Sequence, residues 1–166
     1  MYSDRDLEIR QKNNKLIGVV WKGNSSHKHP WAKNRSIEVS QLDILFELPN
    51  IEWVSLQIDD QVEAIRDLED KKHIHDFGYK ISDFFDTAKI IVELDMVICV
   101  DTAVAHLAGA LGKPVWLLLA SVADWRWLRE RKDSPWYPTM EIFRQKRMGD
   151  WAGVLNEVAD RLREIR

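Results

Sequence analysis

The chain has 166 residues, 45% of them apolar and 31% charged, with a formal net charge of -3. That length suits one domain with a substantial core, the composition is that of a soluble globular protein, and the charge gives no pull toward nucleic acid. The longest apolar runs, such as Pro114 to Ala120, fall far short of a membrane span. The opening MYSDRDLEIRQKNNK holds acids and no apolar centre, so it does not read as a secretory signal. One cysteine, Cys99, excludes an internal disulfide and sits in an apolar run as a core residue. A cytoplasmic location is expected.

Residues 1–14 read as a lead-in, and residues 15–166 as one domain. Leu16 to Trp21 (LIGVVW) is a short continuous apolar run, the pattern of a strand buried on both faces. Lys22 to Ser36 is polar and broken by Gly23 and Pro30, hence a long loop. Ser40 stands where a helix N-cap belongs, ahead of QLDILFEL, and Pro49 and Asn50 end that helix. Ile51 to Gln57 reads as a second strand. Ile58 to Asp76 is charged and weakly patterned, with room for a short helix.

Ser82 or Asp83 caps a helix running to about Leu94, with Phe84, Phe85, Ala88 and Ile91 expected on its packed face. Met96 to Val100 is a third strand. Ala103 to Leu111 is a helix of small residues stopped by Gly112. Pro114 to Leu119 is a fourth strand, Ala120 to Thr139 a loop rich in Trp and Arg, and Met140 to Arg144 a short fifth strand. Asp150 caps a final amphipathic helix from Trp151 to Ile165. Strands alternating with helices predict an α/β fold, a Rossmann-like doubly wound parallel sheet.

Ligands of such sheets bind beyond the carboxyl ends of the strands, which selects four loops. In VDTAVAHLAGALGKP, a buried strand ends at Asp101 and Thr102 and a helix begins at once. A helix N-terminus offers free N–H groups and partial positive charge to a phosphate. His106 lies one turn from Thr102 and can face the same ligand. An ordinary N-cap followed by an interior histidine is the competing reading, and local physics does not separate the two. Lys22 to Arg35 carries four cations, two histidines and no acid, suited to a diphosphate clamp or to a solvated basic loop. Gln57 ends the second strand with an amide able to bond a base or ribose. Trp125 and Arg126 open DWRWLRERKDSPW, where an indole can cover a ring and a guanidinium reach a phosphate, or where indoles pin a surface loop. The pairs His27/His29 and His73/His75 lack a Cys, Asp or Glu at ligand spacing, so no metal is expected.

The run Asp101 to Val115 (DTAVAHLAGALGKPV) resembles the motif in the C-terminal domain of heptosyltransferase-like glycosyltransferases. Asp124-Trp125-Arg126-Trp127, Asp133 to Pro138 and Phe143-Arg144-Gln145 are similar to a branch that often follows tetratricopeptide repeats in bacterial proteins. Val19 to Asn24, Asn34 to Ile37 and Ser55 to Gln57 fit the same pattern, so the resemblance spans about Leu16 to Ile165. It implies half of a GT-B enzyme, the domain that holds a nucleotide-diphospho-sugar, working without metal or other cofactor. On that basis Lys22, Asn24, Ser25, Arg35, Gln57, Asp101, Thr102, Ala103, His106, Trp125 and Arg126 would bind the donor, with Asp101, Thr102, Ala103 and His106 at the diphosphate and sugar. The implied partner is an acceptor-binding N-terminal domain, where the family's proposed base resides. No such domain and no tetratricopeptide pattern is visible here. No glycine follows Asp101-Thr102, where classical heptosyltransferases often have one, so ADP-heptose is not implied as the donor.

Three functions follow as expectations. The first is a donor-binding domain of a bacterial glycosyltransferase, inactive in transfer without its acceptor domain. The second is a non-catalytic nucleotide- or protein-binding module of the same fold. The third, a hydrolase or phosphotransferase with Asp101 as nucleophile, wants a second carboxylate and a metal, and Thr102 and Ala103 follow instead.

Overall fold

The computed structural model describes residues 9, 11, 13–23, 34–58, 65 and 74–165. Among the described residues six strands form one parallel sheet: β1 (Lys15–Val20), β2 (Ile51–Ser55), β3 (Ile74–Asp76), β4 (Met96–Val100), β5 (Val115–Leu119) and β6 (Met140–Arg144). Their spatial order is β3-β2-β1-β4-β5-β6, the order of a Rossmann-type sheet. The register runs Ile17 beside Trp53 and Met96, Val97 beside Val115, and Leu117 beside Ile142. The four central strands are buried almost throughout, which is why they read as continuous rather than alternating apolar runs.

Alternate side chains divide between two cores. Ile17, Val19, Ile98, Val100, Trp116 and Leu118 face α1 (Asp43–Phe46) and α4 (Trp151–Glu164). Leu16, Val20, Val97, Cys99, Leu117 and Leu119 face α2 (Phe84–Glu93) and α3 (Ala103–Ala110). Cys99 is buried as expected, and burial pushes its thiol far above the ordinary range.

Capping fixes the helix starts. Asp83 accepts from the N–H groups of Phe85 and Asp86 at 2.8 and 2.9 Å, and Asp150 accepts from Gly153 at 2.8 Å. Gly112, at φ +71, turns the chain out of α3 as its place after the helix predicts. Lys113 in that turn donates to the carbonyls of Val92 and Leu94 at 2.6 and 2.8 Å, closing the end of α2.

Four expectations are corrected. The helix after Ser40 is a 3-10 turn, Val39–Leu42, running into the one-turn α1. Its N-cap is Glu38, whose N–H donates to the side chain of Gln41 at 3.3 Å, so Ser40 lies inside the turn. The second strand ends at Ser55, two residues short of Gln57. The charged stretch after Ile58 contains an unforeseen strand, β3, and the short helix proposed there falls largely outside the described residues. Three residues at the edge of a sheet, two of them His75 and Asp76, carry no periodic signal. On α2 the packed face is Thr87, Ile90 and Ile91, while Phe84 and Phe85 are 63% and 67% exposed. Asp83 at the cap puts both rings in the first turn, off the stripe that meets the sheet. The lead-in contributes Ile9, which packs against the second core.

Candidate functional site

The strand order reverses direction between β1 and β4, and a crevice is expected just beyond their carboxyl ends. A cleft of about 270 Å³ lies there, lined by Arg35, Asp101, Thr102, Ala103, His106, the segment Leu119 to Asp124 except Ser121, and Arg126. Three chain segments that are distant in sequence supply it.

The first wall is the junction of β4 and α3. Thr102 is the N-cap residue, yet among the described residues no side chain caps this helix, in contrast to α2 and α4. The hydroxyl oxygen of Thr102 is buried and has no hydrogen-bond partner among the described residues. Free first-turn N–H groups and an unengaged hydroxyl suit a ligand oxygen. His106 stands one turn further on. Its ring stacks on Trp127 at 5.0 Å and 24°, and its Nδ1 lies 2.9 Å from the Tyr137 hydroxyl. Burial lowers its pKa; Asp101 and Asp124 pull it up and Arg126 pushes it further down, and the net direction is down. The imidazole is therefore neutral at neutral pH.

The second wall follows β5. Asp124 caps the 3-10 turn Trp125–Trp127 by accepting from Arg126 N–H at 3.0 Å. The same carboxylate takes the Arg126 guanidinium, Nε to Oδ1 at 3.0 Å and Nη2 to Oδ2 at 3.1 Å. Trp136 Nε1 donates to the Arg126 carbonyl at 3.0 Å, and Arg144 donates to the carbonyls of Trp127 and Leu128 at 3.2 and 2.7 Å. Arg126 thus reaches the cleft on a fixed backbone with a fixed guanidinium plane.

The third contribution is Arg35, from the segment that returns toward β1. Ile37 N–H donates to the Trp21 carbonyl at 2.8 Å and Gly23 N–H to Ser36 Oγ at 3.3 Å. The Arg35 guanidinium lies so close over Gly23 that a Cβ there would overlap Nε. A side chain at position 23 would push the guanidinium out of this position.

The expected site residues therefore divide. Arg35, Asp101, Thr102, Ala103, His106 and Arg126 come together around the cleft. Gln57 is 5% exposed and serves the backbone: its Oε1 accepts from Trp21 and Lys22 N–H at 3.3 and 3.0 Å, and its Nε2 donates to the Lys22 carbonyl at 3.1 Å. It holds the exit of β1 in place, and Lys22 is its partner rather than part of the lining. Trp125 is 74% exposed and is not among the residues that line the cleft. Asn24 and Ser25 lie outside the described residues, as do His27, His29 and His73. His75 contacts Glu52 at 2.9 Å, well apart from the cleft residues in the sheet. Among the described residues no group of three His, Cys, Asp or Glu is placed to hold a metal ion.

Asp124 and Tyr137 were not singled out from sequence as site residues, and Trp127, read there as an indole that could cover a ligand ring, instead stacks beneath His106. Tyr137 packs on Gly109, where a Cβ would fall 2.5 Å from its Cγ, and lies 31 positions from the histidine it contacts. No local pattern links such positions.

Fold and cleft define the chain as a Rossmann-like α/β domain with its crevice at the topological switch point. Residues 82–147 match the family model of glycosyltransferase family 9 (heptosyltransferase). The chain is 27% identical over 155 residues to "Protein FlbA" of Caulobacter vibrioides, across 90% of this chain and 25% of that protein. Its fold is similar to the crystal structure of the family 9 glycosyl transferase from Veillonella parvula, at a TM-score of 0.61 and 11% identity, over 93% of this chain and 45% of that one. The three matches together support a heptosyltransferase-like domain. It spans about a quarter of the length of the curated relative and under half of the solved one.

Proposed function

We propose that this domain binds the nucleotide-diphospho-sugar donor of a bacterial glycosyltransferase, working with an acceptor-binding domain. The observation that carries the reading is the convergence of Arg35, Arg126, the Thr102 hydroxyl and the uncapped start of α3 on one cleft at the switch point. In the transfer step the bond between the sugar's anomeric carbon and the diphosphate breaks, and the electron pair leaves on a phosphate oxygen. Two guanidinium groups and the first-turn N–H groups of α3 offset that charge as it develops. The attacking hydroxyl and the base that takes its proton come from the acceptor side. Cytoplasmic location is part of the proposal.

Calorimetric titration with UDP, GDP, ADP and CMP tests the reading, repeated on Asp101→Ala, His106→Ala and Arg126→Ala. One nucleotide should bind, and each substitution should weaken it. A folded chain that binds none of the four would count against the donor-site reading and favour a binding module of the same fold that has lost nucleotides.

A further inference from the structure

His106 has two ring nitrogens, and the neutral ring carries one proton between them. Nδ1 is 2.9 Å from the Tyr137 hydroxyl. The ring cannot turn away from that contact. Trp127 stacks against it on one side, Tyr137 stands edge-on at 5.7 Å, and Tyr137 is itself seated on Gly109. The Tyr137 hydroxyl has Nδ1 as its one hydrogen-bonding partner among the described residues. A phenol proton donated to Nδ1 satisfies both groups and leaves the ring proton on Nε2. The opposite tautomer would leave the phenol proton with no acceptor among those residues. It would also aim a nitrogen lone pair at a cleft that already holds Asp101 and Asp124.

We propose that Tyr137 is a positioning residue for His106: its hydroxyl donates to Nδ1, fixes the Nε2–H tautomer, and so presents the cleft with a neutral N–H donor for a phosphate oxygen of the ligand. The phosphate rests on the donor-site reading; the tautomer does not. A neutral donor adds a directed hydrogen bond to the two guanidinium groups without a third full charge. Tyr137 itself touches no ligand in this arrangement.

The test is the ring-nitrogen NMR spectrum of His106 at neutral pH, without ligand, in the unsubstituted chain and in Tyr137→Phe. The unsubstituted chain should show a protonated Nε2 and a bare Nδ1, and Tyr137→Phe should show a mixture of the two forms. Titration with UDP and with inorganic pyrophosphate should then show binding weakened in Tyr137→Phe by the reciprocal of the Nε2–H fraction that remains, about twofold for an even mixture. In a His106→Ala background the same substitution should change nothing further, because its effect runs through the imidazole. A proton on Nδ1 in the unsubstituted chain, or an unchanged tautomer in Tyr137→Phe, would overturn the proposal. So would equal losses in both backgrounds. If the unsubstituted chain binds no nucleotide, the donor-site reading fails and the spectrum alone decides the role of Tyr137.

Discussion

One wall of the cleft, Asp101 to His106, comes from six consecutive residues, whereas the wall from Leu119 to Arg126 is held in shape by Trp136, Arg144 and Gln145, later in the chain. The first needs only a strand end, an extended N-cap residue and a helix of small side chains lying close to the sheet. The second is tied down from outside itself. Gln145 accepts from Ser121 N–H at 3.3 Å, Trp136 holds Arg126, and Arg144 holds Trp127 and Leu128. Leu128 also sits at φ +52, where side chains other than glycine are strained. A ligand group met by the start of α3 is placed by local geometry, while His106, one turn on, is held by Trp127 and Tyr137. One met by Arg126 is placed by long-range contacts, so substitutions in β6 should act on the site from a distance.

Trp127 joins the two walls, since it is fully buried and its ring supports His106. Trp127→Ala should cost about 3–5 kcal/mol by thermal or denaturant unfolding, through lost burial and the cavity left behind. Trp127→Phe should cost much less. It keeps a ring beneath the imidazole and removes an indole N–H that has no partner among the described residues. Equal losses in the two variants would break the idea that the ring is what couples the walls.

Arg144→Met separates the walls more cleanly. The stem remains, while two hydrogen bonds from a charged donor to the carbonyls of Trp127 and Leu128 are lost. About 2 kcal/mol of stability should go, with nucleotide affinity reduced because Arg126 is less firmly placed. A variant that loses stability but binds nucleotide unchanged would mean that the second wall needs no remote tether. Leu128→Gly tests the strain directly. Relief of the positive φ should outweigh the chain entropy of glycine and stabilise by up to about 1 kcal/mol, measured as a raised denaturation midpoint, whereas Leu128→Ala should not stabilise.

This difference between the walls also explains how much was legible in the sequence. β4 and α3 were readable almost to the residue, because burial of β4 and the Asp101-Thr102 boundary are local signals. Arg126 was readable as a cation in the right loop. Its geometry was not, because Trp136 and Arg144 act on it across ten and sixteen or more positions of chain. Gln57 was noticed for its amide, but only the fold reveals that both amide atoms are occupied by the backbone of Trp21 and Lys22. β3 escaped because a three-residue edge strand pairs by tertiary contact alone.

The smallest effect expected is a pH dependence, and it reads both walls at once. Burial lowers the pKa of His106 from its ordinary value of 6.5, Asp101 on the first wall opposes that shift, and Arg126 on the second reinforces it. With the folded value below the unfolded one, the unfolded chain takes up the proton first as pH falls. The histidine's contribution to stability is therefore complete above about pH 6.5 and is lost as pH falls from there through the lower folded value. Denaturation midpoints measured across that range should fall more for the unsubstituted chain than for His106→Gln. Arg126→Met should shrink the difference, because removing the guanidinium frees Asp124 and lets the imidazole titrate nearer its ordinary value. If Arg126→Met leaves the pH dependence unchanged, the second wall does not reach His106 electrostatically, and the imidazole belongs to the first wall alone.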